Sequence, residues 1–231
     1  MSYQSRAQLT RKAIFASATE VIDEVGYSNL SLTEVIDRAG VTKGAFYYHF
    51  PTKAALASAI SADADSVIED EVRATWDSSS AATGLENLVR AVFVVADRAR
   101  CDRGVRIGFQ LTDAVGNAAD RGRCERQRAF LVTSVETAIA QGDIRTEVNA
   151  QNLGYALWVS LLGNLLLFEA AGEELIAGVA GVLRVILAGS CSDHSVHFFD
   201  CLVERLAAQY ARPAHEQLVG SSQAGPGQNP L

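Results

Sequence analysis

The sequence predicts an all-α protein in two unequal parts: a small three-helix head built on a helix-turn-helix, and a larger helical body. Three observations lead there. Apolar residues recur at three- and four-residue intervals through most of the 231 residues, with no alternating strand pattern of useful length. The stretch from Ser31 to Lys53, SLTEVIDRAGVTKGAFYYHFPTK, places two short helices around a tight turn. The run Asp77 to Gly84, DSSSAATG, is polar and small and makes the clearest internal break.

The elements of the head follow in order. From Arg6 to Val25, the apolar residues Ile14, Ala18, Val21, Ile22 and Val25 define one amphipathic helix that Gly26 ends, after a loose start at residues 1 to 5. Ser31 followed by Glu34 reads as a capping box, with the hydroxyl and the carboxylate each satisfying a free backbone N–H. Leu32, Val35, Ile36 and Ala39 give the second helix its apolar face, and Gly40 stands where a left-handed residue closes it. Thr42 caps a third helix from Lys43 to about Phe50, and Pro51 stops it by disfavouring a helical residue before it.

The third helix carries unusual chemistry. Phe46 and Phe50 are four apart and can anchor it to a core. Phe46, Tyr47, Tyr48, His49 and Phe50 are consecutive, so they cannot all face inward on one short helix. The outward face is left basic, small and hydrogen-bonding. A helix start favours anions, Tyr and His can hold phosphates, and Lys43 with Gly44 and Ala45 can approach base edges in a major groove. The expected DNA-contacting set is Thr33, Thr42, Lys43, Gly44, Ala45, Tyr47, Tyr48, His49 and Lys53, with Arg6, Arg11 and Lys12 as further phosphate candidates.

These residues resemble a known pattern. GVTKGAFYYHFPTK is similar to the recognition-helix signature of the TetR family of bacterial transcriptional regulators, and YSNLSLTEVIDRAG resembles that family's second helix. The match covers roughly residues 6 to 61. The start at Gln4, Arg6 and Ala7, together with VTKGAFYYHF, looks closest to the γ-butyrolactone autoregulator receptor branch. The resemblance implies a DNA-binding head at 1–53, a ligand-binding and dimerisation body at 54–211, and a disordered tail at 212–231. It also implies a homodimer on a pseudo-palindromic double-stranded operator, most often repressing until a small-molecule effector such as a γ-butyrolactone releases it. Activation, or a different apolar ligand, stays open.

Charge distribution agrees with such a head. The net charge is −7, but residues 1 to 53 hold six Lys/Arg against five Asp/Glu, while the remainder holds 14 against 22. All three lysines, Lys12, Lys43 and Lys53, lie in the first part. An acidic body with a relatively basic head suits a protein that touches phosphate at one end. MSYQSRAQLTRKA lacks the apolar core of a signal peptide, so a cytoplasmic location is expected. The most apolar run, Leu153 to Phe168, contains Ser160, Gly163 and Asn164 and falls short of the roughly 20 residues a membrane helix needs, so no membrane role is expected.

The body continues in helices. Lys53 to about Trp76 buries Leu56, Ile60, Ala64, Val67 and Ile68 and turns its acidic half, Asp63 to Glu71, to solvent; in the resembled family it is the lever between head and body. Further helices are expected at Leu85 to Ala99, Arg103 to Ala114, Arg123 to Gln141 after a loop from Gly116 to Gly122, Val148 to Ala171, Glu173 to Leu187, and Asp193 to Tyr210. Residues 154 to 168 and 175 to 189 are apolar nearly all round, which asks for burial on every side. A two-fold dimer seam answers that demand, placed on the helix holding Trp158 and Leu161 and on the last helix, holding Phe199, Leu202 and Leu206. For the ligand cavity that the resemblance implies, the aromatic and lone polar candidates are Phe109, Gln110, Thr112, Gln127, Phe130, Tyr155, Trp158 and Leu162. The butyrolactone branch typically carries a tryptophan where Gln127 stands.

Rival classes are an enzyme and a helical interaction protein without DNA binding. GxSxG, HExxH, a Walker loop and GxGxxG are all missing from the sequence, so no catalytic residues and no cofactor are expected. His194 and His197 with Asp193 are one residue short of a readable metal site, and Cys101, Cys124, Cys191 and Cys201 lack zinc spacing. Cys191 and Cys201 are candidates for a response to oxidation. An interaction protein leaves the surface from Lys43 to Lys53 unexplained.

Overall fold

The structure, a computed structural model, describes residues 3–78, 82–115, 118–171 and 174–211. Over them the chain forms ten α-helices: α1 Tyr3–Asn29, α2 Leu32–Ala39, α3 Lys43–His49, α4 Lys53–Ser78, α5 Gly84–Cys101, α6 Arg103–Val115, α7 Ala118–Ala140, α8 Ala150–Ala171, α9 Leu175–Ser190 and α10 Val196–Tyr210. Among the described residues the extended pairing is limited to one isolated antiparallel bridge, Ile144 with Cys191. The expected tail at 212–231 lies outside the described residues, as does the middle of the DSSSAATG loop.

Local chemistry accounts for the breaks. Gly26 takes φ 77° and ψ 159° and kinks α1 where the sequence ends its first helix, although helical turns resume to Asn29. Gly40 closes α2 at φ 62° and ψ 31°, its N–H reaching the carbonyls of Asp37 and Ile36. Thr42 and Thr52 cap the next two helices, their hydroxyls accepting from Ala45 N at 3.2 Å and Ala55 N at 3.0 Å. Two expectations are corrected. Ser31 does accept from Glu34 N at 3.5 Å, but the Glu34 carboxylate turns to Arg38 at 2.5 Å instead of returning to the cap; a guanidinium one turn away is the stronger partner. The loop expected from Gly116 to Gly122 is shorter, because α7 is already helical from Ala118. The alanines and arginines around Gly122 offset its cost of about 1 kcal/mol in a helix.

The core divides in two, and α4 belongs to both halves. The head core joins Ile14, Ala18, Val21 and Ile22 of α1 to Val35, Phe46, Phe50, Leu56 and Ile60. The body core gathers α5, α7, α8, α9 and α10, with Val67, Ile68 and Trp76 of α4 packed on it. Helix α6 is likewise shared: Ile107 and Leu111 sit in the head core, Val105 in the body core. Ion pairs fasten α6 to α1, with Asp23 between Arg103 at 3.0 Å and Arg106 at 3.2 Å.

The α4–α6 crossing is close because Gly108 has no side chain. A Cβ there would fall inside the van der Waals radius of the Ala64 methyl. The buried Ser61 hydroxyl donates to the Gly108 carbonyl at 3.1 Å, fixing the register of the crossing. Gly108→Ala gains up to about 1 kcal/mol of helix propensity but overpacks the crossing, which typically costs about 1–3 kcal/mol. The net expectation is destabilisation, read as a lower urea midpoint with an unchanged m-value. A midpoint at or above that of the unsubstituted chain would show that the crossing has slack.

Candidate nucleic-acid interface and internal cavity

Helix α3 stands on two buried rings. Phe46 and Phe50 enter the head core, where Phe50 also meets Phe15 at 5.5 Å between centroids. With those rings inward, Tyr47 is 41% and Tyr48 75% exposed, and Thr42, Lys43 and Gly44 are exposed at the N-terminal end. Ala45 and His49 are half-buried, the imidazole edge-on to Tyr48 at 5.3 Å. No atom within 4 Å would oppose a Cβ at Gly44, so the start of α3 is open to an approaching surface. Thr33 is exposed near the start of α2.

The other basic residues of the head are differently employed. Lys53 donates to the Ser28 carbonyl at 3.0 Å and lies 4.8 Å over the Tyr27 ring, bracing the α1–α2 turn. Arg38 forks onto Glu24 at 2.7 and 2.6 Å, and this holds the Glu24 carboxyl below its ordinary range. Arg11 reaches Asp63 at 3.3 Å across the head–lever joint and covers Phe15. Lys12 is exposed; the Arg6 side chain is outside the described residues.

Inside the body, helices α4, α5, α6, α7 and α8 line a cavity of about 530 Å³ that opens to solvent past the exposed Glu69, Arg73 and Arg126. Its wall is mainly apolar, from Ile68, Val72, Leu88, Val92, Leu161 and Leu165, and it includes both tryptophans of the chain, Trp76 and Trp158. A cavity of this size with few placed polar groups is of the kind that holds a small molecule. Trp158 Nε1 is buried there without a hydrogen-bond partner. At one end Asp65 of α4 meets α7: one carboxylate oxygen pairs with Arg123 at 3.1 Å and the other accepts from Gln127 at 3.1 Å.

Of the residues named from sequence, Phe109, Gln127, Phe130, Trp158 and Leu162 line this cavity. Gln110 and Tyr155 do not; Tyr155 is 53% exposed on the outer face of α8, and the Thr112 side chain is outside the described residues. The acidic half of α4 does not all face solvent, since Asp65 is turned inward to α7. Trp76, Asp65 and Arg123 are wall residues that sequence reasoning passed over. Ile68, Val72 and Trp76 recur every fourth position, a stripe that signals burial beyond Ile68; nothing in the acidic run singles out Asp65.

The remaining candidates have local roles. Cys191 is buried, and burial, with Asp143 nearby, pushes its thiol up to about 11, away from the reactive thiolate. His194 faces the Ser192 hydroxyl at 3.3 Å and His197 the Cys201 sulfur at 3.8 Å. Among the described residues no group of three His, Cys, Asp or Glu side chains converges as a metal site, and no helix is long and apolar enough to cross a membrane.

A kinked first helix, a tight helix-turn-helix and an all-helical body around a cavity define the class as helix-turn-helix proteins with an appended helical domain. The sequence model for bacterial regulatory proteins of the TetR family matches residues 14–60. The A-factor receptor protein of Streptomyces griseus is 42% identical over 71 residues, 31% of this chain and 26% of that protein. The matched segment thus spans about a quarter of the length of the curated relatives it matches. The likeness in fold runs further. A γ-butyrolactone receptor described as ArpA-like superposes with a TM-score of 0.76 at 24% identity, over 88% of this chain and 99% of that one. CprB of Streptomyces coelicolor, solved with its biological operator sequence, gives 0.70 at 25% identity over 88% and 99%. The segment 14–60 therefore matches the TetR family model, and the described fold as a whole is like that of the γ-butyrolactone receptor structures.

Asp65 makes the cavity sensitive to pH. Burial raises its carboxyl from the ordinary 3.8 to about 6, against the pull of Arg123. The charged form is the one the fold disfavours, so the contribution of Asp65 to stability is fully present below 3.8 and is lost as pH rises through the window up to about 6. Asp65→Asn mimics the protonated form at every pH. Its stability relative to the unsubstituted chain should therefore rise across that window, by about 3 kcal/mol at most, and level off above it. Urea unfolding of both proteins from pH 4 to 8 measures this; a difference independent of pH would place Asp65 in an unperturbed setting.

Proposed function

We propose that the chain is a cytoplasmic, dimeric transcriptional repressor that leaves a pseudo-palindromic operator when a small molecule occupies the α4–α8 cavity. The observation that carries this is the face of α3. Two buried phenylalanines turn Tyr47 and Tyr48 outward beside an open, basic helix start, on the segment that the TetR family model matches. Thr42, Lys43, Gly44, Ala45 and Tyr47 are positioned for the groove, with Thr33, Tyr48 and His49 for the flanking phosphates. Lys53 acts by bracing the turn behind them and, where DNA draws it away, as a phosphate anchor. The head at 1–53 reads DNA and the body at 54–211 senses the effector; no enzymatic step is part of the reading.

The effector in this proposal is a mainly apolar molecule with a hydrogen-bond acceptor for Trp158 Nε1. A γ-butyrolactone meets that description, and the named function of the structural relatives supports it. Gln127, standing where the branch carries a tryptophan, takes the polar end. Phe109, Phe130 and Leu162 form the apolar wall.

The dimer in this proposal uses outward apolar faces. Tyr155, Val159, Leu166 and Leu167 form an exposed stripe on α8, and Phe198 is exposed on α10. Phe199, Leu202 and Leu206 instead face the protomer's own core, while Trp158 and Leu161 line the cavity. These helices were expected to form the seam, but residues other than those named from sequence are available for it. Two α3 helices about 34–36 Å apart would read successive major-groove faces.

The full chain should bind DNA from upstream of its own gene in a gel shift, with affinity falling steeply as salt rises. Lys43→Ala should weaken binding about tenfold and reduce the salt slope by about one; Tyr47→Phe should weaken it with the slope nearly kept. No binding by folded protein at low salt would refute the reading. Light scattering should give twice the 24.7 kDa chain mass, and Leu166→Glu with Phe198→Glu should return it to one chain. An unchanged mass in that double variant would move the seam elsewhere.

A further inference from the structure

Helix α10 carries two metal-binding side chains that the α3 surface and the cavity leave unused. His197 and Cys201 are four apart, so they stand one above the other on one face of the helix. Both are exposed, and Nε2 of the ring lies 3.8 Å from the sulfur. Zinc holds sulfur at about 2.3 Å and ring nitrogen at about 2.0–2.1 Å, so two such ligands at a tetrahedral angle stand about 3.6 Å apart. The pair is therefore spaced close to one edge of a zinc tetrahedron. Among the described residues no third His, Cys, Asp or Glu joins it to make a metal site. The nearest in sequence are held elsewhere: His194 faces Ser192 Oγ at 3.3 Å, and Arg184 takes Asp200 at 2.7 Å and Glu204 at 3.3 Å.

We propose that His197 and Cys201 of two copies of the chain meet across the dimer seam and hold one zinc ion between two thiolates and two imidazoles. The inference rests on the dimeric reading given above, in which the outward face of α10 meets a second copy. Position on the helix supports it. Phe198, the exposed apolar residue assigned to that seam, directly follows His197, and Cys201 lies only about 60° round the helix from it. A two-fold interface brings the same patch of both copies to one axis, so two ligands near that axis become four. Four is the number a closed structural zinc site requires. Charge closes as well. Each thiol gives its proton to solvent on binding, two thiolates neutralise the two charges of the ion, and the imidazoles bind neutral. A thiol–imidazole contact within one chain accounts for the spacing alone; zinc adds the demand for a second copy, and on that demand the two readings part.

The test uses the full chain, stripped with EDTA, kept reduced with a phosphine and titrated with cobalt(II), whose spectrum reports the ligands that zinc hides. Tetrahedral cobalt gives strong visible bands, and bound thiolate adds a charge-transfer band in the near ultraviolet. Both should saturate at one cobalt ion for two chains and disappear when zinc is added. Cys201→Ser should lose the charge-transfer band and His197→Ala the tetrahedral bands. Cys101→Ser, at the other exposed cysteine, and His194→Ala should keep both. All four side chains are exposed, so the variants are expected to fold, and circular dichroism checks that they do. Saturation at one cobalt ion per chain, or a charge-transfer band that survives Cys201→Ser, would overturn the proposal.

Zinc held only by the dimer must also tighten it. At free zinc about a hundred times its dissociation constant, linkage makes the dimer about a hundredfold tighter. Sedimentation in a series of urea concentrations, which brings even a tight dimer into range, measures this, and Cys201→Ser should lose the gain. A dimer equally tight in zinc and in EDTA would overturn the site and leave the dimer reading intact. A chain of single mass in both would refute the dimer, and the site with it.

Discussion

Gly108 lets α6 lie against Ala64 and Ser61 with almost no side chain between them, and the rest of the structure depends on that closeness. Helix α4 alone would be a long arm touching the head at one end and the body at the other. With α6 pressed onto its middle, both cores share two crossed rods: Ile107 and Leu111 complete the head core and Val105 the body core. Tightly packed interiors move between discrete arrangements and resist gradual deformation. Phe109, which lines the cavity, is the next residue after Gly108 at the crossing. The Asp23 pairs with Arg103 and Arg106 add an ionic tie on the far side of α6.

Much of this was legible in the sequence. The head could be read because its signals are local: Gly40, Thr42, Pro51 and Thr52 set helix ends by backbone geometry and short-range hydrogen bonds, and they act in the fold as they would in a peptide. The inward pair Phe46 and Phe50 followed from spacing alone. What escaped was decided at a distance. Whether Arg38 faces phosphate or Glu24 depends on a helix 14 residues away, and Lys53 meets the Ser28 carbonyl 25 residues away. Both residues look equally free in the sequence.

The cavity shows the same boundary. Phe109, Phe130 and Trp158 announce themselves as large apolar groups on apolar faces, and with Gln127 and Leu162 they make five of the eight cavity candidates named from sequence that line it. Tyr155 shares the chemistry and its ring lies 6.2 Å from that of Trp158, about 60° round α8, yet that turn leaves it 53% exposed and outside the cavity lining. Periodicity gives the angle between two residues and leaves open which one points in. Asp65 was hidden for a different reason. Five acidic residues lie from Asp63 to Glu71 on the lever, and only the partner helix distinguishes the one that is turned inward.

The uneven charge of the chain has a consequence for motion. A head carrying a small positive excess on a body eight charges negative makes the chain a dipole as well as an anion. Near a polyanion such a particle experiences a torque before it makes any contact. The body is pushed away and the head is drawn in, so encounters in the wrong orientation are short-lived. Acidity in the body thereby favours an approach led by the head, and it does so through residues remote from the helix-turn-helix.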